Sequence, residues 1–274
     1  MGMSVRTNIA GMMAAGQLGK TQKGLANSLE RVSSGLRINR AADDAAGLGV
    51  ATTLETAVIG TQQAMRNTND GISIIQTTES ATEEVTDMLQ RMRELAVQSA
   101  SETLADEERS YISDEFNQLR SEITRISSVT EFNGIALTDG TTNTLAVQVG
   151  IKNNAQSRIA ISLVDLTTAG LGIGTMALDS VTNARGALDL IDTALTSVNS
   201  ARSTLGAVQN RLDSALNNSQ FYMEALSAAQ AQISDTDYAT ETSNLTKLQI
   251  MQQAGTASLA QAKNLNQAVV SLLS

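Results

Sequence analysis

The chain has 274 residues, 42% of them hydrophobic but only 2% aromatic, and a formal net charge of −9. It contains no His, Cys or Pro, which removes the usual zinc ligands, the common general base at neutral pH and every disulfide. The acidic balance and the scarcity of aromatic rings argue against nucleic acid as a partner, and no run of about 20 apolar residues is present for membrane insertion.

Without Pro, which breaks helix interiors, the chain is expected to form long helices joined by few turns. Near the start, Leu18, Leu25, Leu29, Val32 and Leu36 line one face of an amphipathic helix. Residues 14–21 (AAGQLGKT) fit a loosened phosphate-loop pattern with Ala in place of the first Gly. Val5, Ile9 and Met12 before it keep helical rather than strand spacing, so the helix reading prevails over nucleotide binding. Gly35 is placed to end this helix, and residues 39–44 to cap the next. Arg31, Arg37 and Arg40 bring positive charge close to Asp43 and Asp44.

Leu54, Val58, Thr61, Met65, Thr68, Ile72 and Ile75 then alternate by three and four. A slip near Thr78 resembles a stammer, after which Thr82, Val85, Leu89, Met92 and Ala96 resume the register. Asn69-Asp70-Gly71 reads as a turn by composition, yet the register runs through it and predicts helix. Glu83 and Glu84 diverge by about 100° on a helix and read as solvated surface, not a paired site. After a break at 101–105, Asp106 is the expected N-cap of a third helix, with Glu107 and Glu108 favourable to its dipole. Ile112, Leu119, Ile123 and Ile126 form its apolar face, and three such stripes make a bundle.

Only residues 130–178 change period. Leu145, Val147, Val149 and Ile151 alternate with small or polar residues, as do Ile159, Ile161 and Leu163, predicting a β-hairpin across 152–157. Asn133-Gly134 and Asp139-Gly140 are further turns. From Val181 to Ile233 one heptad register continues, with Leu188, Leu195 and Leu216 at a and Ala184, Ile191, Val198, Leu205 and Leu212 at d. At 1.5 Å per residue that helix is a rod roughly 80 Å long. Asn217-Asn218-Ser219 lies inside it and reads as helix rather than as a glycan acceptor. Leu245, Leu248, Leu259, Ala262, Val269 and Leu273 form a last stripe. Neither terminal stripe can bury itself alone; the other terminus and neighbouring copies of the chain are the simplest cover.

Residues 33–48 (SSGLRINRAADDAAGL) closely resemble bacterial flagellin. The likeness extends to 90–100 (QRMRELAVQSA), 131–134 (EFNG), 233–241 (ISDTDYATE), 252–256 (QQAGT) and 270–273 (VSLL). The resemblance implies a subunit that polymerises into the flagellar filament for swimming motility. It would leave the cell unfolded, without a cleaved signal, served by the flagellar export machinery, an export chaperone, and cap and junction proteins. It implies no cofactor, no enzyme activity and an extracellular location.

The expected fold is mainly α: a long antiparallel coiled-coil and helical-bundle rod with a small β-hairpin region. Its parts are a terminal inner-layer helix and linker (1–42), rod helices (43–130), the hairpin region (131–178), a long rod helix (179–234) and a second inner-layer helix (235–274). Assembly is assigned to Leu25, Leu29, Val32, Leu36, Arg31, Arg37, Arg40, Asp43, Asp44, Leu248, Leu259, Val269 and Leu273. The family likeness also carries over Arg91, Leu95 and Glu115 as contacts for an animal Toll-like receptor, beside a packing role between protofilaments. The chain departs from the family pattern at Asn266, where the family often has Pro, and at Arg6, where it usually has a polar residue. The rival reading is a hook-filament junction protein, which shares the terminal helices but occurs in few copies.

Overall fold

The computed structural model describes residues 7–271, with side chains through residue 264. It contains helices α1 (Ile9–Ser34), α2 (Ala45–Ser99), α3 (Asp106–Val129), α4 (Val181–Ser234) and α5 (Tyr238–Ser271). Between α3 and α4 lie β1 (Glu131–Phe132), β2 (Ile135–Ala136), β3 (Thr144–Gln148) and β4 (Arg158–Ser162). The expected mainly-α chain with a small antiparallel β region is what forms. The chain divides into two compact units, one made of residues up to 56 and from 225, the other of residues 57–224.

In the second unit α2 and α4 run antiparallel. Arg93 pairs with Asp192 at 2.7 Å, while Glu102 meets Arg185 and Glu79 meets Arg202, so numbers rise on one helix as they fall on the other. Leu89, Met92 and Ala96 of α2, Phe116 and Ile123 of α3, and Ile191 and Val198 of α4 close one core. The heptad register of α4 predicts an a/d seam, but burial sits on d and g. Ile191, Val198 and Leu205 are buried, Leu188 and Leu195 only half so, and Ala187, Ala194 and Val208 are buried beside the d series. A strict a/d seam suits two helices; here α3 and the chain after β4 cover the flank as well, which widens and rotates the buried stripe.

The slip near Thr78 leaves α2 unbroken. Thr78, Thr82 and Thr86 are buried there and donate to the carbonyls of Ile74, Thr78 and Thr82 at 2.8, 2.6 and 2.7 Å. Each hydroxyl thus satisfies itself on its own helix and can sit in a core. The turn-like Asn69-Asp70-Gly71 is helical because Gly71 serves packing. A Cβ there would stand 2.9 Å from Val147 Cγ2 of the hairpin and 3.4 Å from Leu212. Gly71→Ala should therefore destabilise the unit by about 1–2 kcal/mol, overpacking outweighing the gain in helix propensity. Gly186→Ala, with open space around its Cβ, should instead stabilise by about 0.5–1 kcal/mol. Thermal melts of the two variants should move in opposite directions.

Two local expectations need correction. Asp106 is the first helical residue of α3, not its N-cap; Ala105 holds that position, and Glu108 Oε2 reaches back to accept the Ala105 N–H at 3.2 Å. The hairpin is also shorter than its alternation. Leu145 faces Ile161 and Val147 faces Ile159, but the N–H groups of Val149 and Gly150 both donate to the Ser157 carbonyl. That shared acceptor ends the ladder on the turn side, so Val149 and Ile151 lie outside the strands, and at the open end Leu163 follows β4 with its N–H donating to the Asn143 carbonyl at 3.0 Å. Residues 163–180 have no regular structure, yet Leu166, Ile173 and Leu178 are buried in the helical core. Arg120 holds this segment through the carbonyls of Gly174 and Met176 at 3.1 and 3.0 Å.

Candidate assembly surface

The two terminal helices pair antiparallel along a narrow seam. From one end, the Tyr238 hydroxyl donates to the Val32 carbonyl at 2.6 Å, and Ser28 Oγ donates to Glu241 Oε1 at 2.5 Å. Leu248 then packs on Gly24 and Leu18 on Gly255, leaving 3.2 and 3.3 Å to where a Cβ would stand. At the far end Asn8 caps α1 by accepting the Gly11 N–H, and its Nδ2 donates to the Ala262 carbonyl at 3.0 Å. Among the described residues, Thr21, Ser28, Glu241 and Ala262 are the buried ones of the seam. Small residues bring the helix backbones close, and few large side chains are consumed.

The apolar residues of the predicted stripes are therefore divided between the seam and solvent. Leu25, Val32, Leu248 and Leu259 are half-buried. Leu29 remains 51% exposed and Leu36 is exposed as well. Outside the predicted stripes, Met13 is 73% exposed and Ile250 60% exposed. Val269 and Leu273 lie outside the residues whose side chains are described.

The linker after α1 is an interlocked corner. Gly35 adopts a left-handed conformation (φ 74°) and its N–H closes the helix on the Arg31 carbonyl at 2.8 Å, the C-cap geometry that glycine adopts without penalty. Arg37 N donates to the Ser234 carbonyl, Thr236 N to the Gly35 carbonyl, and the Arg37 guanidinium to the Ile233 carbonyl at 2.6 Å. A cation thus sits on the carbonyl end of α4, where the helix dipole favours it. Asp43 Oδ2 accepts the Asn39 and Arg40 N–H groups, and Asp44 Oδ1 accepts the Gly47 N–H at 2.9 Å as N-cap of α2. The arginine side chains do not go to these carboxylates. Arg40 forms a two-point pair with Glu30 at 2.8 and 3.0 Å, and Arg31 approaches Glu241 at 3.9 Å. Asp43 and Asp44 are instead used as backbone caps, through Oδ2 and Oδ1 respectively, and the expected proximity of the arginines does not become a side-chain pair.

Arg91, Leu95 and Glu115 separate in character. Arg91 bridges Glu115 at 2.8 Å and Glu94 at 2.9 Å on the surface, and these carboxylates raise its pKa, the Glu115 hydrogen bond first. Leu95 is only 2% exposed and belongs to the core, so its side chain is closed to any partner.

At the start of α5, Asp237 accepts the Thr240 hydroxyl at 2.7 Å and the N–H groups of Thr240 and Ala239. Those bonds, the hydroxyl first, hold its pKa below the ordinary aspartate value. A carboxylate whose pKa is depressed on folding adds stability above its unfolded pKa and loses it as pH falls through the folded value. Helicity is expected to drop on titration below the ordinary aspartate range. Asp237→Asn, which keeps a good N-cap but does not titrate, should flatten that acid limb in circular dichroism.

Sequence reasoning missed Ser28, Glu241 and Tyr238. The signal for Glu241 was present: it stands seven, fourteen and twenty-one residues before Leu248, Gly255 and Ala262, but a charged residue in a stripe does not score as apolar. Arg109, buried in the second unit, was missed for the same reason. Among the described residues no group of three or more acidic side chains is arranged to hold a metal, and no helix is long and apolar enough to cross a membrane.

Two family models match, the bacterial flagellin N-terminal helical region over residues 5–143 and the C-terminal helical region over 188–273. A flagellin of Halalkalibacterium halodurans is 42% identical over 271 residues, covering 99% of this chain and all of the relative. The crystal structure of Bacillus cereus flagellin superposes with a TM-score of 0.51 at 32% identity, over 56% of this chain and 88% of that one. A putative flagellar hook-associated protein from Vibrio parahaemolyticus gives a TM-score of 0.59 at 16% identity, over 70% of this chain and all of that one; at that identity the likeness is one of fold alone.

Proposed function

The chain belongs to the bacterial flagellin family and is a structural subunit of the flagellar filament, and from that premise we propose that successive copies join through the outward faces of α1 and α5. The observation that carries this reading is the exposure of Met13, Leu29 and Ile250 on helices whose own seam is a narrow row of half-buried leucines interleaved with small and polar residues. Exposed apolar side chains in this density mark surfaces that a partner covers. Arg37, Arg40, Asp43 and Asp44 act beside them by holding the linker corner from which α1 and α2 depart.

Seeded growth tests the proposal. Short filament fragments mixed with the purified chain should elongate into uniform tubes, seen by negative-stain electron microscopy. Removing about 30 residues from either end, roughly one terminal helix, should stop growth. Truncated chains that still elongate seeds would overturn it.

The role is architectural and not enzymatic in this reading. The family likeness supports an extracellular filament reached through the flagellar export machinery with an export chaperone, and contact with cap and junction proteins at the filament ends. An animal Toll-like receptor would meet Arg91 and Glu115, the two surface members of the family-derived set, with Leu95 supporting them from the core. Receptor signalling unchanged by Arg91→Ala with Glu115→Ala would remove that contact.

A further inference from the structure

Among the described side chains of α5, the positions that are not fully exposed are Glu241, Leu245, Leu248, Gln252, Gly255, Leu259 and Ala262, an unbroken alternation of four and three. On α1 the facing series is Ala14, Leu18, Thr21, Leu25, Ser28 and Val32. Such seams are promiscuous, because leucines and small residues on one helix fit those of any similar helix. A filament subunit brings many copies of both helices together, so α5 could pair with α5 of a neighbour as readily as with α1. Surface charge does not prevent it: α1 carries Lys20, Lys23 and Arg31 against Glu30, and α5 carries Lys247 and Lys263 against Glu241. Both are net basic.

One contact discriminates. Glu241 is 8% exposed, its Oε1 accepting from Ser28 Oγ at 2.5 Å and its Oε2 facing Arg31 at 3.9 Å. The other long-range polar bonds of the seam, from Asn8 and from Tyr238, end on backbone carbonyls, which any helix presents. Thr21 is satisfied by its own Gln17 carbonyl at 3.0 Å. Among the described residues only the Ser28–Glu241–Arg31 group demands particular side chains on the partner. Among the described residues the α5 seam offers no cation, and apart from Gln252 it presents only Leu, Gly and Ala to the Glu241 carboxylate of a second α5.

We propose that Glu241 is the specificity determinant of terminal-helix pairing, restricting α5 to an α1 partner through Ser28 and Arg31. It acts as a polar residue in a coiled-coil seam acts, excluding wrong partners that cannot satisfy it. The proposal rests on the filament-subunit reading, where helix crowding makes the choice matter.

The absence of cysteine makes a disulfide reporter clean. Leu18 Cβ lies 3.9 Å from the Cβ position at Gly255, within disulfide range, so the full chain bearing Leu18→Cys and Gly255→Cys reports every pairing at once. Mild oxidation of the soluble chain and of seeded filaments, followed by mass analysis, separates 18–255 links from 255–255 links. With Glu241 in place, 18–255 should dominate in both samples. Adding Glu241→Leu should raise the ratio of 255–255 to 18–255 links at least about tenfold, the change that losing one charge-assisted contact produces. An unchanged ratio overturns the proposal. Should Glu241→Leu lower helicity, Ser28→Ala with Arg31→Gln, which removes both partners and keeps Glu241, decides it: a raised ratio supports and an unchanged one overturns. Failure of the Glu241-bearing chain to extend seeds would count against the filament surfaces, while the soluble-chain ratio still judges Glu241.

Discussion

Leu29→Asp combined with Ile250→Asp should abolish seeded filament growth while leaving the melting of the soluble chain almost unmoved. Both side chains are mostly in solvent, 51% and 60% exposed, and neither belongs to a buried cluster of the described residues. Surface substitutions of this kind change stability by about ±0.5 kcal/mol or less. At a contact between copies the same change places two carboxylates against apolar surface in every subunit, and an unpaired buried charge is expensive enough to be decisive. The measurement is paired: thermal denaturation of the monomer, and filament length by electron microscopy after seeding. Tubes of ordinary length would show that these faces of α1 and α5 stay free in the filament.

Arg109→Met should cost the second unit about 2–4 kcal/mol, a drop in Tm of roughly 5–15 °C. Arg109 is only 4% exposed, and its guanidinium donates to the Ser99 carbonyl and, at 3.2 Å, to the Leu104 carbonyl. Ser99 is the last residue of α2 and Leu104 belongs to the turn before α3, so one side chain satisfies the helix end and the turn together. Ser99 Oγ meanwhile donates to the Leu178 carbonyl at 3.0 Å, which ties the irregular segment to the same corner. Methionine matches the length but leaves the carbonyls without their donor. Arg109→Lys should recover only part of the loss, because an ammonium cannot span both acceptors as the planar fork does. A Tm within a degree of the parent for Arg109→Met would mean that solvent reaches these carbonyls.

The positions of the helices were legible in the sequence because each carries a continuous apolar rhythm that survives local contrary signals. Asn69-Asp70-Gly71 was correctly read through on that basis. The linker caps were legible for a related reason: Asp44 bonds a donor three residues away, so its partner is set by local geometry. The shortened hairpin was not, since alternation alone continues through Val149 and Ile151 while the ladder ends on a shared Ser157 carbonyl. The arginine partners were not legible either; Arg40 chose Glu30, ten residues back along the chain, over the nearer aspartates.

The sequence by itself determined the number of helices, because periodicity and local capping depend only on neighbours within a few residues, and its motifs at both ends determined the family resemblance. Tertiary structure alone decided which edge of each stripe is buried. On α4 a second neighbour turned the contact from a/d towards d/g; on α1 the close approach at Gly24 and Gly255 left Leu29 outside. It also set the course of residues 163–180, whose buried Leu166, Ile173 and Leu178 follow no period. Burial is a property of what lies opposite, and a stripe records that a face must be covered without recording by what.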